Sequence, residues 1–269
     1  MNIFQALLLG ILQGLTEFIP VSSTAHLLIG QRLLGLPASD LVFSFLVLVQ
    51  LGTVLSLIVY FWKDLLKLVK AFFARPFSTA ESKLGWWIIL ATIPALIFGY
   101  LLKSAVEVLF KNPLLEAAIR LLITAVVLIV AERVSHPNRA LDKMNWLDSL
   151  VIGLAQVIAV FPGASRSGTT ISAGMLRGFD RKSAARFAFL MSVPVMLAAG
   201  AYQSLDLIKI PGLASFLPTL LVGFVCAAVV GWLAVRWLLG YLGRHSFHVF
   251  AIYCFVLGAL CLLSALITG

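Results

Sequence analysis

The chain has 269 residues, of which 61% are hydrophobic and only 12% charged, and its mean hydropathy is +1.06. A soluble domain carries about a quarter charged residues, so this composition excludes one and reads as a single integral membrane domain over 1–269. The net charge of +9 does not point to nucleic acid, because the cations stand in short segments beside apolar runs, where topology signals stand.

In chain order, the first region, 1–36, is apolar but lacks a basic leader and a small-residue cleavage pattern, so it is read as part of the fold. Pro20 breaks it within a polar stretch that runs from Gln13 through Glu17, Ser22, Ser23 and Thr24 to His26. Runs long enough to cross a bilayer follow at 40–62, 85–103 and 114–132. A second interrupted region, 148–180, breaks at Pro162-Gly163 and continues Ala-Ser165-Arg166-Ser167-Gly168-Thr169-Thr170. Crossing runs resume at 187–204, 216–238 and 247–267. Cys226, Cys254 and Cys261 lie inside apolar runs without metal-ligand spacing and read as small core residues.

Each half of the two interrupted regions is too short to span, and irregular backbone is tolerated at depth only where protein or a water-filled cavity satisfies it. The expected fold class is therefore an all-α polytopic membrane protein: six transmembrane helices plus two re-entrant helix-loop-helix regions. Threaded in this way, the chain puts 14 of its 20 Lys and Arg on one side and five on the other, with Arg166 at the second break. The positive-inside rule makes the richer side cytoplasmic and puts both termini outside. Gly10, Gln13, Phe18, Pro20 and Ser23 also align with Gly153, Gln156, Phe161, Pro162 and Ser165. The two regions enter from opposite sides, so the expectation is an inverted-topology repeat with a polar site between its halves.

The chemistry sits at the breaks. A buried Arg166 cannot shed its proton, and a guanidinium takes phosphate oxygens two at a time, so it calls for an anion, unless a structural carboxylate such as Glu17 neutralises it. Glycines and hydroxyls at a helix start, here Gly163, Ser165, Ser167, Gly168, Thr169 and Thr170, offer a nest of donors beside it. In the first break Ser23 and His26 are three residues apart, so an imidazole can approach the hydroxyl, with Glu17 to orient the base or hold a cation. Charge neutralisation and positioning are most of what phosphoryl transfer needs, and a site among apolar helices suits a phosphorylated lipid. An arginine-lined cavity between inverted repeats also suits a transporter or flippase of isoprenoid lipid phosphates, which would have no need of the Ser23 and His26 pair.

Gln13-xxx-Glu17 followed by Pro20-Val-Ser-Ser-Thr-Ala-His26, with Pro162-Gly-Ala-Ser-Arg-Ser-Gly-Thr-Thr170, closely resembles the bacterial undecaprenyl-diphosphate phosphatases, or bacitracin-resistance proteins, over the whole chain. The resemblance implies hydrolysis of undecaprenyl diphosphate to the monophosphate, which recycles the carrier for peptidoglycan and other envelope polymers. It implies a multi-pass protein of the cytoplasmic (inner) membrane whose site opens to the outer side. Bacitracin then competes indirectly, by binding the lipid, and a homodimer is left open. Family roles fall on Ser23, His26, Glu17 and Arg166 for catalysis, and on Gln13, Ser22, Gly163, Ser165, Ser167, Gly168, Thr169 and Thr170 for the substrate. The family's divalent cation, Mg or Ca, falls to Glu17, since Gln13 stands where many members have Glu and brings no charge. Either Ser23 or His26 serves as the nucleophile in this reading.

Overall fold

The structure, a computed structural model, describes residues 1–37, 39–74, 76–102, 113–159, 164–207 and 213–268. Those residues form eleven α-helices and no named strand. Six of the helices are long and apolar enough to cross a membrane, and they coincide with the six runs expected from sequence. This is a multi-pass membrane protein.

Helix α1 (Ile3–Phe18) starts at a capping box in which the Asn2 side chain accepts from the Gln5 amide while the Gln5 side chain accepts from the Asn2 amide. It stops before Pro20, and α2 (Ser23–Leu33) follows after four residues. Next come α3 (Asp40–Tyr60), α4 (Trp62–Ala74), α5 (Ala80–Leu101) and α6 (Pro113–Val134), the last starting on a proline whose missing amide costs nothing there. A 3₁₀ turn at Leu141–Lys143 leads to α7 (Trp146–Ile158), which opens on a second capping box, Asn145 with Asp148. Then come α8 (Arg166–Leu176), α9 (Arg181–Leu207), α10 (Leu213–Tyr241) and α11 (His248–Thr268).

The short pairs α1–α2 and α7–α8 pack against the long helices on one face, while Phe4 and Leu15 of α1 and Trp146, Leu154 and Ile158 of α7 are exposed on the other. At 1.5 Å per residue, none of the four reaches the ~30 Å of a bilayer's apolar core. Helix α1 packs against α10 and α7 against α5, and each contact depends on a glycine. A Cβ on Gly10 would lie 2.5 Å from the Gly223 carbonyl oxygen, and one on Gly153 would lie 2.5 Å from that of Ala91. Backbones that close leave room for hydrogen alone. Helix α6 shows the two faces of a lipid-bathed span: Ala117, Leu121, Thr124 and Leu128 are buried, while Ile119, Ile123, Val126 and Val130 are exposed.

Helix α4 is an element that the sequence reading did not contain, because its lysines were counted only as topology signals. It carries Lys63, Lys67 and Lys70 on an exposed side and buries Leu68, the pattern of a helix lying along an interface.

Two ion-pair clamps tie the helix ends where the positive excess was expected. Asp148, fully buried, meets Arg139 (Nη2 to Oδ2, 2.7 Å) and Arg177 (Nε to Oδ1, 2.8 Å). Burial alone would raise its carboxyl pKa, but hydrogen bonds from Arg139, the Asn145 amide and Arg177 outweigh that and hold it below the ordinary aspartate range. Glu132, at the end of α6, receives Arg181 and the Phe247 amide (2.7 Å), joining α6 to α9 and α11.

Candidate active site

The first break is built by strain and capping. Ser22 sits in the left-handed region at φ 65°, which a non-glycine residue adopts only when its surroundings demand it. That kink turns the chain from α1 into α2 within four residues and leaves the Ser22 carbonyl accepting two bonds, from the His26 amide (3.3 Å) and from His26 Nδ1 (2.9 Å). Behind it, α11 supplies Tyr253, whose hydroxyl meets His26 Nε2 at 2.7 Å with the rings stacked, and Cys254, whose thiol faces the Pro20 carbonyl. With Nδ1 donating to a carbonyl, a neutral His26 accepts the Tyr253 proton at Nε2.

The second break ends in a capped helix start. Ser165 is the N-cap of α8: its Oγ accepts from the Gly168 amide (3.2 Å), and its own amide donates to Thr124 Oγ1 on α6 (3.2 Å). Pro162 and Gly163 lie outside the described residues, so the nest expected there is described from Ala164 onward.

The two breaks meet. Arg166 Nη2 donates to Glu17 Oε1, and Ser167 Oγ lies 3.5 Å from the Ile19 carbonyl. Glu17 Oε2 in turn accepts from Gln13 Nε2 (2.7 Å) and Ser23 Oγ (2.6 Å). One buried carboxylate thus gathers the polar groups of both interrupted regions. Around it opens a cavity lined by Ser22, Ser23, Thr24, Ser165, Arg166 and Ser167, with Gln50 of α3 and Arg120 of α6. Helices α2 and α8 both begin at this cavity, so two positive dipole ends lie at it. A second, apolar cavity between α3 and α9, lined by Val47, Leu51, Val54, Val195 and Met196, reaches the same Arg166.

The expected residues divide as follows. Glu17, Ser22, Ser23, Ser165, Arg166 and Ser167 converge on the cavity, and Gln13 reaches it through Glu17. Gly168 gives its amide to the cap, and the amide of Thr169 donates to the Ser165 carbonyl (2.8 Å). The Thr170 hydroxyl bonds the Arg166 carbonyl (2.8 Å) within its own helix. These three shape the start of α8 without lining the cavity. The Ser23 and His26 pair is not formed: Ser23 gives its proton to Glu17, and both imidazole nitrogens are taken by Ser22 and Tyr253. Helical spacing allowed that pair, but the left-handed Ser22 and the nearby carboxylate divert both partners.

Sequence reasoning missed Gln50, Tyr253 and Arg120. The first two are brought in only by tertiary packing. Arg120, counted with the outer cations, lies inside α6 on an ion pair with Glu116 (2.8 Å), and a charged i,i+4 pair in an apolar run was the signal available.

No group of three or more His, Cys, Asp or Glu able to hold a metal occurs among the described residues. Among the described residues Glu17 is the one carboxylate in the cavity lining, and beside it the Gln13 Oε1 atom is buried without a hydrogen-bond partner. Two oxygen donors of that kind suit a hard cation completed by phosphate oxygens and water.

Residues 6–260 match the family described as Bacitracin resistance protein BacA. The chain is 43% identical over 266 residues to a protein of Anaeromyxobacter dehalogenans named undecaprenyl-diphosphatase, covering 96% of this chain and 90% of the relative. It is also 43% identical over 262 residues to an undecaprenyl-diphosphatase of Caldicellulosiruptor bescii, covering 97% of each. One from Desulforudis audaxviator is 41% identical over 269 residues, covering all of both chains. With its breaks joined at one carboxylate and its length matched nearly end to end, this chain belongs to the BacA bacitracin-resistance family.

Proposed function

We propose that the Glu17 cavity is where this chain acts as an undecaprenyl-diphosphate phosphatase, releasing the terminal phosphate and returning the monophosphate carrier to envelope polymer synthesis. The observation that carries the assignment of the site is Glu17 bonded at once to Ser23 Oγ and, across the two breaks, to Arg166. A hydroxyl on a carboxylate, with a guanidinium alongside, is a nucleophile, a base and an anion clamp in contact.

In this mechanism the diphosphate draws Arg166 from Glu17 and rests on the starts of α2 and α8. Ser23 Oγ attacks the terminal phosphorus while its proton passes to Glu17. The bond to the bridging oxygen breaks, and the lipid monophosphate leaves with that oxygen and takes the proton from Glu17. Glu17, charged again, takes a proton from a water that attacks the Ser23 phosphoester, then returns it to the departing Ser23 Oγ as inorganic phosphate is freed. His26, held by Ser22 and Tyr253, steadies the turn that aims Ser23. The apolar cavity between α3 and α9 suits the first isoprene units of the tail. A divalent cation, magnesium or calcium, would be held by Glu17 and Gln13 and would neutralise phosphate charge.

Several matched features support an inverted repeat with α1–α2 and α7–α8 as its re-entrant pairs. Capping boxes at Asn2 and Asn145 each precede a close-approach glycine by eight residues, Gly10 and Gly153, and a buried glutamine follows three later, Gln13 and Gln156. In this arrangement the chain lies in the cytoplasmic membrane with both termini and the site on the outer side.

Inorganic phosphate release from undecaprenyl diphosphate by the detergent-purified protein, with a chelator control, tests the assignment. Steady release that falls at least about 100-fold in Arg166→Ala is expected. Folded protein that releases none, or an Arg166→Ala protein at full rate, would overturn it.

A further inference from the structure

Arg120 is a charged residue of the cavity that the mechanism above does not use. It lies on α6 two turns inside the helix start, and its side chain, like that of Glu116, is only 11% exposed. Glu116 accepts from the guanidinium Nε (2.8 Å), which fixes the side chain on its helix. One turn on, Thr124 donates to the Arg120 carbonyl (2.6 Å) and accepts from the Ser165 amide, so the face of α6 bearing Arg120 is fixed against the start of α8. The side chain then lines the same cavity as Ser23 and Arg166.

Charge makes this placement informative. Both arginines of the cavity are paired with a carboxylate, Arg166 with Glu17 in the lining and Arg120 with Glu116 outside it, so a diphosphate carrying on the order of three negative charges meets two guanidiniums rather than one. A buried pair such as Glu116 with Arg120 contributes little to folding over apolar residues of the same size, so stability is a weak reason for it. A guanidinium held by a carboxylate in the lining of an anion site is a preorganised phosphate ligand.

We propose that Arg120 is a second phosphate-binding residue, which contacts the phosphate that Arg166 does not and makes the site prefer a diphosphate to a monophosphate. The inference rests on the phosphatase reading above for its substrate, and its ligand chemistry is that of any diphosphate, lipid-linked or free.

The test uses the full chain in detergent with Arg120→Gln, Arg120→Lys and the double variant Glu116→Gln/Arg120→Gln. The double variant removes both charges together and so avoids leaving a buried carboxylate alone. Inorganic pyrophosphate and inorganic phosphate serve as inhibitors of lipid diphosphate turnover, and as ligands raising the thermal midpoint. The double variant should fold and keep kcat within about threefold. Its KM and its inhibition constant for pyrophosphate should rise at least about tenfold, the loss expected for one charge-assisted contact, while phosphate inhibition moves less than about threefold. Arg120→Lys should restore part of the pyrophosphate affinity. An unchanged KM and pyrophosphate constant in the folded double variant overturns the inference, as does equal weakening toward phosphate and pyrophosphate. Wild-type protein that takes a thermal shift from pyrophosphate but hydrolyses no lipid diphosphate would sink the phosphatase reading and leave the Arg120 comparison standing.

Discussion

Glu17→Gln separates binding from chemistry at this site. The substitution keeps the shape but removes the charge that holds Arg166 and accepts the Ser23 proton. Two opposite effects follow. Loss of a positioned base lowers kcat by about 10² to 10⁴. Ground-state affinity for phosphate moves the other way, because Arg166 no longer has to leave a carboxylate; one charge-assisted bond is about 1.5 to 3 kcal/mol, or roughly 10- to 150-fold tighter binding. The empty protein should also lose stability. Glu17 is 3% and Arg166 20% exposed, so stranding the arginine costs about 3 kcal/mol, the lower end of the range for a buried pair broken on one side. Turnover, phosphate inhibition and thermal midpoints, the midpoints measured with chelator present so that no cation enters that comparison, read all three terms. The variant should turn over slowly, bind phosphate more tightly and recover its midpoint as phosphate is added. Weaker phosphate binding in the folded variant, or a kcat near wild type, would refute the arrangement.

Gly153→Ala and Gly10→Ala should each destabilise the protein by about 1 to 3 kcal/mol in denaturation assays, because the new methyl meets a backbone carbonyl that cannot yield; an unchanged midpoint would mean these helices are not in that contact. Tyr253→Phe removes the His26 Nε2 partner and should lower kcat by about two- to tenfold. A loss of about 10³ or more would instead put the imidazole on the reacting phosphate. Acid should loosen the Asp148 clamp. Its folded pKa lies below the unfolded value, so the stabilisation is complete above about pH 4 and is lost as pH falls through the folded value. Asp148→Asn should flatten the midpoint against pH below about pH 4, and an unaltered slope would show that another group carries the acid sensitivity.

The spans were legible because a run of some 20 apolar residues has few alternatives to crossing a bilayer. Glu17 and Arg166 were legible because charge at depth needs a reason, and each turned out to be the other's partner. What sequence left unread depended on side-chain direction. The i,i+3 spacing brings Ser23 and His26 within reach, yet it says nothing of a left-handed Ser22, of the carboxylate that takes the hydroxyl, or of Tyr253, 227 residues on, which takes the ring. Arg120 was hidden by bookkeeping of another kind: a cation near a helix start was counted as a loop charge, although its Glu116 partner one turn earlier marked it as a residue of the helix interior.

The nucleophile is the most direct test. Brief incubation with undecaprenyl diphosphate labelled on its terminal phosphate, quenching in denaturant at neutral pH, where phosphoserine and phosphohistidine both survive, and mass analysis should find the label esterified to Ser23 Oγ, and Ser23→Ala should lower turnover by about 10³ or more. Label recovered on His26, or a folded Ser23→Ala protein that still releases phosphate near the wild-type rate, would contradict the mechanism.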